Sequence, residues 1–132
     1  MALQYSIAVN NARLDAIETT IGASAKLRIY TGSAPANAAT AASGTLLVEM
    51  ALPSDWMVAA SSASKAKAGT WSGTASGTGV AGYFRIVDNG GTNTGLQGTS
   101  GMSGTDLILD NSSIASTQVV TISGFTLNSA NT

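Results

Sequence analysis

The spacing of apolar residues changes once along this chain, and that change limits its fold more than any other feature. Before Gly22 the spacing is helical. Ile7, Leu14 and Ile21 fall seven apart, with Ile17 between them and Ala8 alongside, so they line one stripe. Asn10, Arg13 and Glu18 are free to face away from it. Ser6 stands where an N-cap is wanted and Gly22 where a left-handed C-terminal cap is wanted. Together these predict a helix from about Ser6 to Ile21. Its stripe is narrow, so the helix must dock on a sheet or on another subunit.

After Gly22 the period is two. In Lys26–Tyr30, Leu27 and Ile29 share one face, and Arg28 and Tyr30 share the other. Leu46, Val48, Met50 and Leu52 alternate in the same way before Pro53. A strand is expected around Lys65–Gly73, and another at Tyr83–Asp88 ahead of the turn Asp88-Asn89-Gly90-Gly91. Short strands near Leu96 and at Asp106–Leu109 follow. The last, Gln118–Leu127, changes parity between Ile122 and Phe125, which predicts a β-bulge at Gly124. Thr31–Gly44, small-residue and nearly featureless, reads as a mobile surface loop. The fold expected is mainly β: an antiparallel sandwich or barrel of seven to eight short strands behind an N-terminal amphipathic α-helix. Residues 1–22 form the arm and helix, and 23–132 a single β domain.

Composition narrows the chemistry. Only 10% of residues are charged and the net charge is -1, so there is no field to gather nucleic acid or an anionic membrane, and neither is expected as a partner. A small domain so near neutrality is poorly protected against association. That suits an ordinary neutral protein and one meant to sit against other subunits equally. With no cysteine and no histidine, disulfides, thiol nucleophiles, imidazole or thiolate metal sites and the usual proton shuttle are absent. The first residues lack a basic leader and a continuous apolar core, so no signal peptide is expected.

Gly77–Gly82, GTGVAG, matches the dinucleotide fingerprint G-x-G-x-x-G. That motif needs a buried strand before it and a helix after it, because the helix N-terminus binds the pyrophosphate. Here the residues that follow alternate as a strand, so the match reads as a glycine-rich turn. The carboxylates Asp15, Glu18, Glu49, Asp55, Asp88, Asp106 and Asp110 read as turn and strand-end residues rather than as a hydrolytic pair. Lys65 and Lys67 read as guards of an exposed strand edge. Trp56 and Trp71 serve either as core anchors or, with Tyr83, as a stacking platform for sugar. No catalytic residue, cofactor or metal ligand is assigned, and no enzyme is expected.

The phrases ARLDAIETTIG, LRIYTGSAP, LPSDWM, SKAKAGTWSGTASGTG running into YFRIVD, and LILDNSSIASTQVVTISGFTL occur in that order. From about Ser6 to Leu127 they resemble a family of small virion structural proteins of tailed bacteriophages and prophages. The resemblance implies a head decoration or cement protein on the capsid surface, partnered by the major capsid protein and by neighbouring copies in a homo-oligomer. A tail, collar or fibre component is the alternative, and a carbohydrate- or host-surface-binding β module a further one. The family carries no catalytic residues. The candidate interaction surface is Ile7, Leu14, Ile17 and Ile21 on the helix, together with Trp56 and Trp71. The stripe packs on the sheet or on a neighbouring protomer while the first residues reach a partner.

Overall fold

The computed structural model describes residues 3–129. Helix α1 (Ile7–Ile21) precedes nine strands. These are β1 (Lys26–Thr31), β2 (Leu46–Ala51), β3 (Ser64–Ala66), β4 (Ser72–Thr74), β5 (Gly79–Val87), β6 (Thr94–Gly101), β7 (Leu107–Leu109), β8 (Ser113–Ile114) and β9 (Val119–Asn128). The chain is thus mainly β behind an N-terminal helix, as its periodicity predicts. Ser6 caps the helix, its Oγ accepting from Val9 N–H at 3.2 Å. Gly22 ends it with φ 99°, a conformation that favours glycine, although its ψ of 171° is extended rather than left-handed helical.

The strands lie in the order β2-β1-β5-β6-β7-β9-β3, with β4 also on β9 and β8 on β5. The wall curls until the chain just past β4 returns to β2: Ser76 and Gly77 N–H both donate to the Leu47 carbonyl, at 2.8 and 3.1 Å. Two details differ from expectation. There are nine strands because β4 and β8 are short pairings that an alternation count misses. The sheet is also mixed. Residues 102–106 double the chain back, so β7 starts beside Ser100 and runs parallel to β6, while the other named strand pairs are antiparallel.

The core fills the inside of this wall. Register places Leu27 opposite Met50 and Ile86, and Ile29 opposite Val48 and Phe84, so three neighbouring strands direct the same alternate residues inward. In β9 the parity jump is real. Gly124 faces Ile108 and Ile122 faces Leu109, leaving Ser123 as the extra residue beside Gly124, so Val120, Ile122 and Phe125 are all buried.

A run of rings crosses the core: Trp56 to Trp71 at 6.1 Å, Trp71 to Phe125 at 5.6 Å, and Phe125 to Phe84 at 5.5 Å and nearly perpendicular. Trp56 and Trp71 are fully buried, which corrects their assignment to an interaction surface. Each indole N–H is satisfied inside the chain, by Gly22 O at 2.9 Å and Ala68 O at 3.0 Å. Burying the rings removes a large apolar area from water, and an internal hydrogen bond for each N–H offsets the cost of burying it.

Helix α1 lies on the barrel with Leu14 and Ile21 buried and Ile17 half-buried. Ile21 sits directly on Gly95 of β6, where a Cβ would overlap it. The docked face is wider than the apolar stripe. Asn10, expected to face away, is buried, and Glu18 turns inward to Met57 N–H at 2.9 Å.

Candidate functional site

Of the large side chains in the helical stripe, Ile7 is open to solvent, at 53% exposure, and Ala8 beside it is exposed too. Leu14, Ile17 and Ile21 spend their surface on the chain's own sheet. Ile7 instead joins Leu3 (75%), Tyr5 (44%) and Val9 (45%). These four are half of the eight large apolar side chains exposed among the described residues, and they stand at alternate positions of LQYSIAV. The Arg13 guanidinium lies 4.8 Å over the Tyr5 ring. The arm ahead of α1 and the first turn of the helix thus share an exposed apolar patch. Helical period picks out Ile7 but passes over Leu3 and Tyr5, which precede the helix, and over Val9, which lies in α1 off the Ile7–Leu14–Ile21 stripe.

Two buried cations went unmarked in the sequence. Lys65, read there as an exposed edge guard, is 2% exposed. Its ammonium donates to Asp15 Oδ1 at 2.7 Å and Val58 O at 2.9 Å, and lies 3.0 Å from Glu18 Oε1. Asp15 also accepts from Ala60 N–H, and Asn11 from Ala63 N–H, so a polar seam holds α1 to the segment around β3. The Lys65 hydrogen bond, followed by the Ala60 N–H, lowers the Asp15 pKa below its ordinary value. For Lys65, burial disfavours the charged form, but bonds to the two carboxylates outweigh it and the pKa is raised.

Arg85 on β5 is 4% exposed and meets only neutral acceptors: Thr40 O at 2.6 Å, Gln97 Oε1 at 3.1 Å, and Thr94 Oγ1 and Asn37 O at 3.5 Å. Asn37 and Thr40 belong to the stretch Thr31–Gly44 read as a mobile loop, which between β1 and β2 spans residues 32–45. It is a strap instead. Tyr83, stacked on Tyr30 at 5.0 Å, donates to Ser43 O at 2.6 Å, and Gln97 donates to Pro35 O at 2.9 Å. A groove of about 510 Å³ between strap and wall is lined by Arg28 and Arg85, with Arg28 bonded to Glu49 at 2.6 Å.

The other sequence candidates separate. Gly82, the last glycine of GTGVAG, lies inside β5, where a Cβ would overlap the backbone of Gly32. Its role is close approach within the chain, and the motif opens a strand, not a helix. Asp88 closes its turn, accepting from Thr92 N–H, Asn93 N–H and the Asn93 amide. The last of these bonds is the largest influence lowering its pKa. Asp106 accepts from Thr99 and Asp110 from Thr121, each beside its own strand. Among the described residues no cluster of three or more His, Cys, Asp or Glu side chains is placed to hold a metal ion, and no helix is long and apolar enough to cross a membrane. Comparison with protein-family models, curated proteins and solved structures finds no match.

Proposed function

We propose that this chain is a non-enzymatic structural protein of a tailed phage particle, a decoration or cement subunit seated on the major capsid protein and beside copies of itself. The observation that carries the reading is the ordered series of phrases between Ser6 and Leu127, which resembles small virion proteins along nearly the whole chain. The geometry supports the same reading. Polar side chains in the barrel and strap hold the chain together, whereas apolar side chains at Leu3, Ile7 and Val9 are exposed for contact. Low charge suits a part that binds by area and is repeated by symmetry, since many weak contacts sum on a lattice.

The test is stoichiometry. Quantitative mass spectrometry of purified particles should find this chain in constant ratio to the major capsid protein. A copy number fitting one ring at the portal or tail would move it to the collar or tail, and absence from purified particles would remove the virion reading altogether.

A further inference from the structure

We infer that the gap in the barrel wall between β6 and β9 is a seat for one extended strand, and that Leu3–Ser6 of a second copy of this chain fills it. The gap follows from register. β7 pairs with β6 only at Ser100 and Gly101, and with β9 only from Ile122 to Phe125. Beyond β7, residues 95–97 of β6 and 126–128 of β9 face each other across a cleft of about 470 Å³, with Phe84, Phe125 and Ile17 among its walls. Where β7 is present it occupies this interval alone, so the opening is one strand wide.

Its rims carry backbone groups that want a partner. Thr99 N–H turns from β5 and donates to the Asp106 carboxylate at 2.9 Å, a side chain standing where a strand would be. Strand backbone groups alternate sides, so those of Gln97 point into the cleft as well. On β9 the Phe125 carbonyl accepts from Lys67 on the opposite side, which turns Thr126 and Asn128 toward the cleft. An edge of this kind recruits a strand, with main-chain bonds supplying affinity and alternate side chains supplying fit.

The arm has the matching pattern. Ser6 has extended backbone ahead of α1, and Leu3 and Tyr5 alternate with Gln4 and Ser6. Seated in the gap, Leu3 and Tyr5 meet the apolar walls while Gln4 faces outward beside Thr126. Within one chain, α1 runs from Ser129, which bonds Asn10 at 2.8 Å, to Gly95 under Ile21. The helix crosses the mouth of its own cleft, with Ile17 in the lining, and the arm ahead of Ile7 lies outside it with Tyr5 under Arg13, so the seat is open to the arm of a second copy. Such an exchange repeats from copy to copy or closes a symmetric pair.

The inference extends the structural-subunit reading without depending on it. Because the chain has no cysteine, single replacements report cleanly. Full-length Gln4→Cys mixed with Thr126→Cys should form a disulfide-linked heterodimer about tenfold faster than Gln4→Cys mixed with Val80→Cys, an exposed position at the start of β5, because seating raises the effective concentration. Equal rates overturn the inference. Adding Leu3→Asp to the Gln4→Cys chain leaves the core untouched and should bring the first rate down to the second, and a rate that stays high also overturns it. A chain incorporated into particles with equal crosslinking rates keeps the structural reading and loses this one. Rapid Gln4–Thr126 crosslinking by a chain absent from particles does the reverse.

Discussion

Helix α1 and the strap 32–45 each lie on the outside of the barrel, and each is held there by a buried cation, Lys65 for the helix and Arg85 for the strap. Lys65 meets two carboxylates, whereas Arg85 meets carbonyl, amide and hydroxyl oxygens. The difference follows from the two cations. A compact, strongly hydrated ammonium loses much on burial and needs opposing charge. A guanidinium is more weakly hydrated and spreads five donors over a plane, so several neutral oxygens satisfy it. One attachment is therefore ionic and depends on pH. The other is dipolar, and its carbonyl, amide and hydroxyl acceptors do not change charge near neutral pH.

The largest expected effect comes from breaking the ionic attachment. Lys65→Met removes the ammonium and leaves the carboxylates facing an apolar side chain, which should cost about 2–3 kcal/mol in urea unfolding. The value falls below that for a fully buried pair because the Asp15 side chain is 46% exposed and rehydrates. Amide exchange should quicken in α1 and not in 32–45. Acceleration spread evenly over both segments would mean that they do not open separately.

Arg85→Gln tests the other attachment. Thr40 O loses its short bond and Asn37 O its long one, a loss of about 1–2 kcal/mol. Its clearest readout is proteolysis, with new cleavage inside 32–45 and unchanged protection of α1. A strap as resistant as before would show that Tyr83 and Gln97 hold it without Arg85.

The smallest effect is the pH response, and its sign is set on each side. The Asp15 pKa is lowered in the folded chain, so its contribution is present above the ordinary value of 3.8 and is lost as pH falls through the lowered value. The Lys65 pKa is raised, so its contribution is complete below the ordinary 10.5 and is lost as pH rises through the raised value. Fluorescence of Trp56, bonded to Gly22 at the end of α1, should report the helix loosening at both extremes. In acid, the near-ultraviolet dichroism of the stacked Tyr30–Tyr83 pair should hold longer than the Trp56 signal, and simultaneous loss would contradict separate attachments.

Local pattern carried a good part of this architecture. The helix is legible because Ser6, the Ile7-to-Ile21 spacing and Gly22 lie within one short segment. Leu27 and Ile29, or Phe84 and Ile86, declare an inward face by alternation alone. The bulge near Gly124 is legible for the same reason, since a change of parity needs an extra residue. The two cations are not legible this way. Arg85 does point out of the barrel, as its place between Phe84 and Ile86 predicts, but the strap then covers it. Lys65 stands among serine and alanine, where no period marks a buried face.

From its own residues, then, the chain determined the helix with both its ends, the longer strands, and many of the alternate side chains that seek the interior. Those are preferences of neighbours in sequence, set by backbone geometry and by the cost of leaving apolar surface in water. Only the tertiary structure decided that Trp56 and Trp71 are core, that 32–45 is a strap, and that β6 and β9 leave a gap. Each depends on partners far apart in the chain, as Asp15 and Lys65 are, 50 residues from one another. Spacing along a sequence can mark a face for burial, but what covers that face is settled by the path of the rest of the chain.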